Sequence, residues 1–348
     1  MILFVHLGVR PNRATYIVFC LLIAVIALAF SSEKKPVIEP LPDYFPMMKH
    51  PEGNELTDAR VQLGRHLFYD PVLSSDSTIS CASCHKQSLA FADSVAVSPG
   101  VLQRKGNRNA PTLGNVGFNP TVLFDGFLET LEKQILVPIQ EHAEFDFNMI
   151  EIVKRLRKDP FYVDLAKKAY DREPDPFVVT RSISAFERTL VSYRSDYDKF
   201  LQGKKKLSAS AMRGKALFFD KLYCSNCHSG FNFTDFSVHN NGLYERYPGD
   251  SGRFRVTHLE TDRDLFKVPS LRNIALTAPY MHDGSLPTLR AVIQHYSTGG
   301  KQHKNKSPLI QPFTLTEAEE NDLIAFLETL TDQSFIHDKR YSKPKRKK

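Results

Sequence analysis

The chain has 348 residues, of which 42% are hydrophobic and 24% charged, so its composition is that of globular domains and not of a disordered protein. This length accommodates two domains of ordinary size. The net charge of +7 comes from the last ten residues, KRYSKPKRKK: removing their seven Lys or Arg from the 46 basic residues leaves as many as the 39 acidic ones. A nucleic-acid-binding surface is therefore not expected. Residues 336–348 are interpreted as a solvated basic tail, with weak contact to an anionic membrane or protein as the alternative.

The first 30 residues have the pattern of an export segment. Arg10 and Arg13 precede fifteen apolar residues, Tyr16 to Phe30. That length is typical of a signal peptide and shorter than the roughly 20 residues that span a bilayer. Residues 1–30 are predicted to be either a cleaved signal peptide or a retained membrane anchor formed by residues 16–30. Both alternatives export the rest of the chain.

The four cysteines beyond this leader fall into two pairs, each followed at once by a histidine, in CASCH and CSNCH. C-x-x-C-H is the attachment motif of c-type haem, in which two thiols bind the vinyl groups and the histidine binds the iron. A zinc site made from the four cysteines would leave both histidines unexplained. The sequence therefore predicts two covalently bound c-type haems. The predicted attachment residues are Cys81, Cys84, His85, Cys224, Cys227 and His228.

An internal repeat accompanies the two motifs. LGRHLFYD, which contains Gly64, precedes the first motif, and RGKALFFD, which contains Gly214, precedes the second. The repeat predicts a first module over residues 52–202 and a second module over residues 203–335. An extended, proline-rich linker is expected over residues 31–51.

The segments around the motifs indicate a mostly α fold. FVVTRSISAFERTLVSYRSDYDKFL, residues 177–201, places Ile183, Phe186, Leu190 and Tyr193 on one helical face. A capping box that begins at Thr316 predicts a helix near the end of the chain. Strand patterns are scarce, so we expect two cytochrome c-like haem domains packed face to face.

With both motifs in place, the chain resembles the bacterial dihaem cytochrome c peroxidases and their MauG-like relatives over about residues 56–330. The likeness is carried by TISCASCH, RNAPTLGNV, FDGFLETLEKQ, VPSLRNIALTAPYMHDGS and CSNCH. The resemblance implies a periplasmic peroxidase whose N-terminal haem reacts with hydrogen peroxide. Its C-terminal haem would relay electrons from a small donor protein, a cytochrome c or a cupredoxin. Homodimers are common in this family.

By the same resemblance, the family's catalytic glutamate falls on Glu144 and its pocket glutamine on Gln134. A carboxyl group above an open iron can take a proton from the near oxygen of peroxide and deliver it to the departing oxygen. From the residues alone, Glu132 and Glu141 remain alternatives to Glu144. Gln134 also fits the surface of a helix.

The family likeness is incomplete in the loop after the first motif. Peroxidases that require prior reduction have a histidine in this loop that caps the first iron, and this chain has Val101 at the matching position. A valine cannot coordinate iron, so the first haem is expected to react with peroxide without reductive activation. His142 remains an alternative ligand.

A second departure concerns the C-terminal haem. Tyr296 stands where typical peroxidases have an axial methionine, and MauG-like proteins have an axial tyrosine there. A tyrosinate would lower the reduction potential of the iron. Met281 is the rival ligand, and a tyrosine of the core is the plainest alternative for Tyr296.

The resemblance also implies a calcium ion between the haems, held by the side chain of Asn109, by backbone carbonyls at Thr277 and Pro279, and by water. Such oxygen donors suit a hard cation.

Two further functions remain open. A MauG-like oxidase would use high-valent iron to oxidise protein side chains, and Tyr296 and Val101 favour it. The chain has no tryptophan, however, and Phe124 occupies the position of the inter-haem tryptophan of that branch. The other alternative is an electron carrier without catalytic activity, which would need no carboxylate above an open iron.

Overall fold

Helices make up most of the regular structure in the computed structural model, which describes residues 37–346. In chain order the α-helices are α1 (Asp58–Tyr69), α2 (Cys81–Cys84), α3 (Leu131–Gln134), α4 (Leu136–Gln140), α5 (Met149–Arg157), α6 (Pro160–Tyr170), α7 (Pro176–Arg188), α8 (Asp196–Leu201), α9 (Ala209–Ala216), α10 (Phe254–Thr257), α11 (Leu289–Ser297), α12 (Glu317–Glu328) and α13 (Gln333–His337). Two short antiparallel strands, β1 (Val238–His239) and β2 (Phe266–Lys267), pair in the second module. The mostly helical fold predicted from the sequence is confirmed.

Both modules are built on a close crossing of two helices at a glycine. In the first module, a Cβ atom on Gly64 of α1 would lie 1.7 Å from the carbonyl oxygen of Ser182 in α7. In the second module, a Cβ atom on Gly214 of α9 would lie 1.9 Å from the carbonyl oxygen of Asp322 in α12. The repeated glycine therefore lets two helix backbones touch at the same place in each module.

Aromatic side chains fill the space beside each crossing. Phe68 and Phe186 are fully buried in the first module, with ring centroids 5.2 Å apart. Phe218 and Phe326 are their counterparts in the second module, also 5.2 Å apart. Phe68 and Phe186 join the two crossing helices of the first module, and Phe218, in the turn that follows α9, packs on Phe326 of α12. Both pairs make the tilted or edge-on contacts that aromatic rings prefer.

The helical pattern of residues 177–201 forms two helices, α7 and α8, and the prediction of one continuous face is wrong beyond Arg188. In the segment between α7 and α8, backbone N–H groups donate hydrogen bonds to side chains that are distant in the sequence. Asn115 Oδ1 accepts a hydrogen bond from the backbone N–H of Ser192, and Asp332 Oδ2 accepts from that of Tyr193. These partners replace the helical hydrogen bonds, so the chain turns after α7.

A buried ion network joins the two modules. The guanidinium of Arg108 donates to both oxygens of Asp125, in the first module, and to both oxygens of Asp250, in the second. Burial alone would raise the pKa of Asp250, but the bonds from Arg108 hold it below its ordinary value. Such paired contacts fix the position of a guanidinium as well as its charge.

Up to Arg346, the basic side chains of the tail are exposed to solvent, and the tail is also attached to the first module. The side chain of Tyr341 is buried, and the backbone carbonyl oxygen of Tyr341 accepts a hydrogen bond of 2.7 Å from the hydroxyl of Tyr69. Arg346 pairs with Asp159 and lies over the ring of Phe161. The tail is therefore anchored on the first module by aromatic and ionic contacts.

The predicted export segment, residues 1–30, lies outside the described residues. Within residues 37–346, every helix is too short or too polar to cross a membrane.

Candidate functional site

The two C-x-x-C-H histidines have the same local arrangement. Nδ1 of His85 lies 2.9 Å from the carbonyl oxygen of Phe91, and Nδ1 of His228 lies 3.1 Å from that of Phe233. A carbonyl can only accept, so Nδ1 carries the proton in each ring and Nε2 keeps its lone pair. Burial lowers the pKa of both imidazoles, which favours the neutral form. This is the tautomer that an axial haem ligand requires.

The four cysteines are free thiols and lie beside these histidines. Burial raises the pKa of Cys84 and of Cys224 to about 11, so these thiols stay protonated. In the first module α2 consists of the motif itself, and one helical turn separates its two thiols. The thiols and the Nε2 atoms therefore fit a covalently attached haem in each module.

A cavity of about 630 Å³ opens around the second motif, within the range of cofactor sites. Cys224, Cys227 and His228 line it on one side, and Tyr296 of α11 lines it as well. The thiols of the second motif add to the rise that burial causes in the pKa of Tyr296, which places the phenol close to them. The predicted ligands of the second haem therefore share one cavity.

Tyr296 and Met281 lie together in that cavity. Nδ2 of Asn241 is 3.5 Å from the hydroxyl oxygen of Tyr296 and 3.3 Å from Sδ of Met281. One amide thus contacts both rival ligands of the second iron. No pattern in the sequence indicates Asn241, because it stands in a polar loop without a motif.

Glu144 lies close to the first C-x-x-C-H motif. Its side chain is exposed by surface area, but the protein atoms around the carboxyl group reduce its solvation, and this effect, together with the charge of Glu141, raises its pKa to about 7. The charge of Glu144 in turn helps to raise the pKa of the thiols of Cys81 and Cys84. A carboxyl group close to the attachment thiols can therefore both release and accept a proton near neutral pH.

The rival acid Glu132 has a different role. Its carboxylate accepts two hydrogen bonds from Arg188, of 2.7 and 3.0 Å, and one from Ser184. Although burial opposes it, these contacts lower the pKa of Glu132 to about 2. Glu132 is thus a permanent anion that ties α3 to α7, and it cannot exchange a proton at neutral pH.

The loop that contains Val101 packs against the segment that contains Glu144. Val101 is buried, and its backbone N–H donates a hydrogen bond of 2.9 Å to the carbonyl oxygen of Glu144. The exposed ring of His142 interacts with Asp146, at 3.0 Å, and with Arg104. Its partners at the surface do not favour His142 as an iron ligand.

Gln134 ends α3 in the first module and is half-buried. Phe124 lines the cavity of the second module, at the boundary with the first.

The three predicted calcium residues also line this cavity. Nδ2 of Asn109 donates to the carbonyl oxygens of Val95 and Ala96, both at 3.1 Å, which leaves Oδ1 available. Thr277 and Pro279 lie on the wall that Asn109 shares. These oxygen donors are compatible with a hard cation that keeps several waters.

Lys267 is a further cavity residue that the sequence analysis missed. Its only signal in the sequence is a positive charge within the apolar run LFKVP, just before the VPSLRN motif.

Comparison with protein families places both modules. Residues 58–206 match the model of di-haem cytochrome c peroxidases, and residues 211–331 match that of cytochrome c. The chain is 38% identical to the methylamine utilization protein MauG of Methylorubrum extorquens, over 81% of this chain and 80% of that protein. It is 31% identical to the cytochrome c551 peroxidase of Pseudomonas aeruginosa, over 87% of this chain and 86% of the relative.

Solved structures show the same fold. A MauG-like protein associated with microbial copper homeostasis superposes with a TM-score of 0.84 at 38% identity, over 87% of this chain and 98% of that one. The diheme peroxidase BthA of Burkholderia thailandensis superposes with a TM-score of 0.71 at 23% identity, over 84% of this chain and 91% of that one, which supports the fold alone.

Proposed function

The chain belongs to the di-haem cytochrome c peroxidase family, and we propose that it is an exported peroxidase that reduces hydrogen peroxide to water. The electrons would come from a small redox protein, a cytochrome c or a cupredoxin, and pass from the second module to the first. The observation that carries this proposal is the pairing of Glu144 with the first motif and of Tyr296 with the second. The first module thus offers a proton-exchanging group, Glu144, and the second module offers a candidate iron ligand, Tyr296.

In this proposal Cys81, Cys84 and His85 hold the first haem, and Cys224, Cys227 and His228 hold the second. Each haem would supply a redox-active iron, for the reaction with peroxide in the first module and for the entry of electrons in the second. The hydrogen bonds from Nδ1 of His85 and of His228 to backbone carbonyls orient the neutral imidazoles and leave Nε2 of each ring free to bind iron.

Glu144 is the proposed acid–base residue. Its carboxylate would accept a proton from one oxygen of peroxide and deliver it to the other oxygen, which would leave as water. A pKa of about 7 gives both protonation states at neutral pH. Gln134 is proposed to hold peroxide by a hydrogen bond, and Val101, which cannot coordinate a metal, would leave the position of a capping histidine vacant.

Tyr296 is the proposed sixth ligand of the second iron. Burial raises the pKa of its phenol, so the tyrosinate form would need the positive charge of a bound iron. The amide of Asn241 lies within reach of both Tyr296 and Met281, so it can stabilise the oxygen of the bound tyrosine.

The second candidate function is a MauG-like oxidation of protein side chains. Tyr296, Val101 and the 38% identity to a MauG protein favour it. The absence of tryptophan from the sequence weighs against it, since Phe124 is far harder to oxidise than an indole. We therefore place it second.

A calcium ion at Asn109, Thr277 and Pro279, a periplasmic location and a homodimer complete the proposal. The free Oδ1 of Asn109 supports the calcium site. The export pattern of residues 1–30 supports the location, with the choice between cleaved signal and membrane anchor left to experiment. The homodimer rests on the family alone.

The test is steady-state consumption of peroxide by the holoprotein with a reduced cytochrome c or cupredoxin. Glu144→Gln should abolish turnover with both haem spectra intact, and Glu141→Gln, which changes the neighbouring carboxylate, should retain it. Unchanged turnover in Glu144→Gln would remove the catalytic assignment. Electron paramagnetic resonance of the resting ferric protein should give one high-spin and one low-spin signal, and two low-spin signals would contradict an open first iron.

A further inference from the structure

Lys267 lies in β2, at the boundary between the two modules. Its backbone N–H donates a hydrogen bond of 2.7 Å to the carbonyl oxygen of Phe124, which belongs to the first module. A Cβ atom on Gly126 would lie 3.6 Å from Cβ of Lys267, so the same segment also flanks the lysine side chain. The contacts with Phe124 and Gly126 of the first module therefore fix the position of the backbone and Cβ atom of Lys267.

Lys267 is half-buried and lines the cavity that surrounds Cys224 and His228. Among residues 37–346, Lys267 has no carboxylate at ion-pair distance and its side chain has no hydrogen-bond acceptor in reach. Burial is the one cause that shifts its pKa, which falls to about 8. An ammonium that lines a largely apolar cavity without a partner is unfavourable, and an anionic group bound in the cavity would offset that cost.

Lys221 shows that the cavity does not leave every cation in this state. It lines the same cavity, but its Nζ lies 2.5 Å from Oε1 of Glu319 at the surface. A carboxylate of the protein thus neutralises Lys221, whereas Lys267 remains available to pair with a group bound in the cavity.

We propose that Lys267 is the cationic partner of a propionate of the haem attached at Cys224 and Cys227. This inference rests on the proposed haem attachment. The propionates are the carboxylates that a haem brings with it, and a buried ammonium forms a charge-assisted hydrogen bond with such a group. Lys267 is a positioning residue: it orients the second haem at its boundary with Phe124 and offsets a negative charge near the iron.

The pairing has an electrochemical consequence. If the ammonium is removed, the propionate remains as an uncompensated anion in a buried site, and a nearby negative charge favours ferric over ferrous iron. Lys267→Met, which keeps the length of the side chain without its charge, should therefore lower the reduction potential of the second haem. Lys221→Met makes the same change in charge at the lysine that Glu319 already neutralises, and it should leave that potential unchanged.

The experiment is a spectroelectrochemical titration of the wild type and both variants as holoproteins, after the haems of each have been counted. Two haems in the wild type establish the attachment independently of Lys267. The proposal is overturned if Lys267→Met contains both haems at wild-type potentials, or if Lys221→Met lowers the second potential equally. It is also overturned if the ligand field of the second iron changes in Lys267→Met, because Lys267 would then be an iron ligand.

If Lys267→Met fails to incorporate the second haem, resonance Raman spectra of the wild type and Lys267→Arg provide the test. A guanidinium and an ammonium donate differently to a carboxylate. The propionate bending band of the second haem should therefore shift in Lys267→Arg. An unshifted band in a fully loaded variant would overturn the pairing.

Discussion

The backbone N–H of Val101 is bonded to the carbonyl oxygen of Glu144 at 2.9 Å, so the loop that lacks the capping histidine is attached directly to the proposed acid–base residue. Arg104, at the end of the same loop, donates to the carbonyl oxygen of His142 and, at 2.6 Å, to Asp146. These bonds hold the segment on both sides of Glu144. Although this loop has lost the capping histidine, it therefore has a function of its own, which is to position the segment that contains Glu144.

Gly100 makes this attachment possible, and Gly100→Ala should disrupt it. A Cβ atom there would lie 2.2 Å from the carbonyl oxygen of Ala143 and 2.6 Å from that of Glu144. Because backbone atoms cannot turn aside as side chains do, the Glu144 segment must move. We expect the rate of reaction with peroxide, measured by stopped flow, to fall by about tenfold or more.

Gly106→Ala is the matched control for this change, because a Cβ atom on Gly106 would meet nothing within 4 Å. It should react with peroxide like the wild type. The spectrum of the second haem should be unaltered in both variants. A Gly100→Ala protein that reacts at the wild-type rate would show that the loop does not position Glu144.

The pKa of Glu144 predicts the pH dependence of the reaction with peroxide. The first act of the residue is to accept a proton, which requires the carboxylate, and the pKa is raised to about 7 by burial and by the charge of Glu141. The bimolecular rate should thus rise with pH and level off above about 7, and below pH 6 it should fall by about tenfold per pH unit. Stopped-flow rates between pH 5 and 9 measure this profile.

Two variants distinguish Glu144 from other titrating groups. Glu144→Gln should give a low rate without this inflection. Glu141→Gln should move the inflection to lower pH, since it removes the neighbouring negative charge that helps to raise the pKa of Glu144. An inflection that persists in Glu144→Gln would assign the titration to another group.

Much of the site could be predicted from the sequence because its signals are local. The C-x-x-C-H motifs predict the attachment residues, and the repeat predicts the equivalent helix crossings at Gly64 and Gly214. The break after α7 could not be predicted, because it depends on Asn115 and Asp332, which lie far away in the sequence. Long-range partners override a helical pattern whenever they satisfy its backbone groups better.

The charged residues illustrate the same limit. The sequence presents Glu132, Glu141 and Glu144 as similar acids, and their surroundings in the fold make the first a fixed anion and the last a proton-exchanging group. Burial and the position of Arg188 decide this difference, and neither is visible in a local pattern. The basic tail likewise contains a buried tyrosine, Tyr341, that its charge pattern concealed.

The repeated helix crossing predicts equivalent effects of substitution in the two modules. Gly64→Ala and Gly214→Ala would each place a methyl group less than 2 Å from a carbonyl oxygen of the facing helix. Since neither backbone can yield without separating the helices, each variant should lose about 2 kcal/mol or more of unfolding free energy. Urea unfolding followed by circular dichroism measures the loss. Gly106→Ala again serves as the control, and wild-type stability of Gly214→Ala would contradict the close crossing.

Glu187 of α7 provides a test of stability against pH. The residue is buried, its Oε2 has no hydrogen-bond partner, and burial raises its pKa to about 8, which the nearby Arg188 only partly offsets. Between the ordinary pKa of about 4.5 and the raised value, the native state holds a proton that the unfolded chain has released. Stability must therefore fall as the pH rises through this window, and Glu187 adds no further change above about pH 8.

Glu187→Gln removes the ionisation and keeps the shape of the protonated acid. Compared with the wild type, the variant should gain about 2 kcal/mol or more in unfolding free energy between pH 5 and pH 8.5, since each pKa unit corresponds to about 1.4 kcal/mol. The comparison across pH cancels any constant effect of the amide, and it also cancels the titration of Glu144, which both proteins share. Urea unfolding of the two holoproteins at the two pH values gives the difference. Parallel pH profiles would mean that Glu187 ionises in the folded protein as readily as in water.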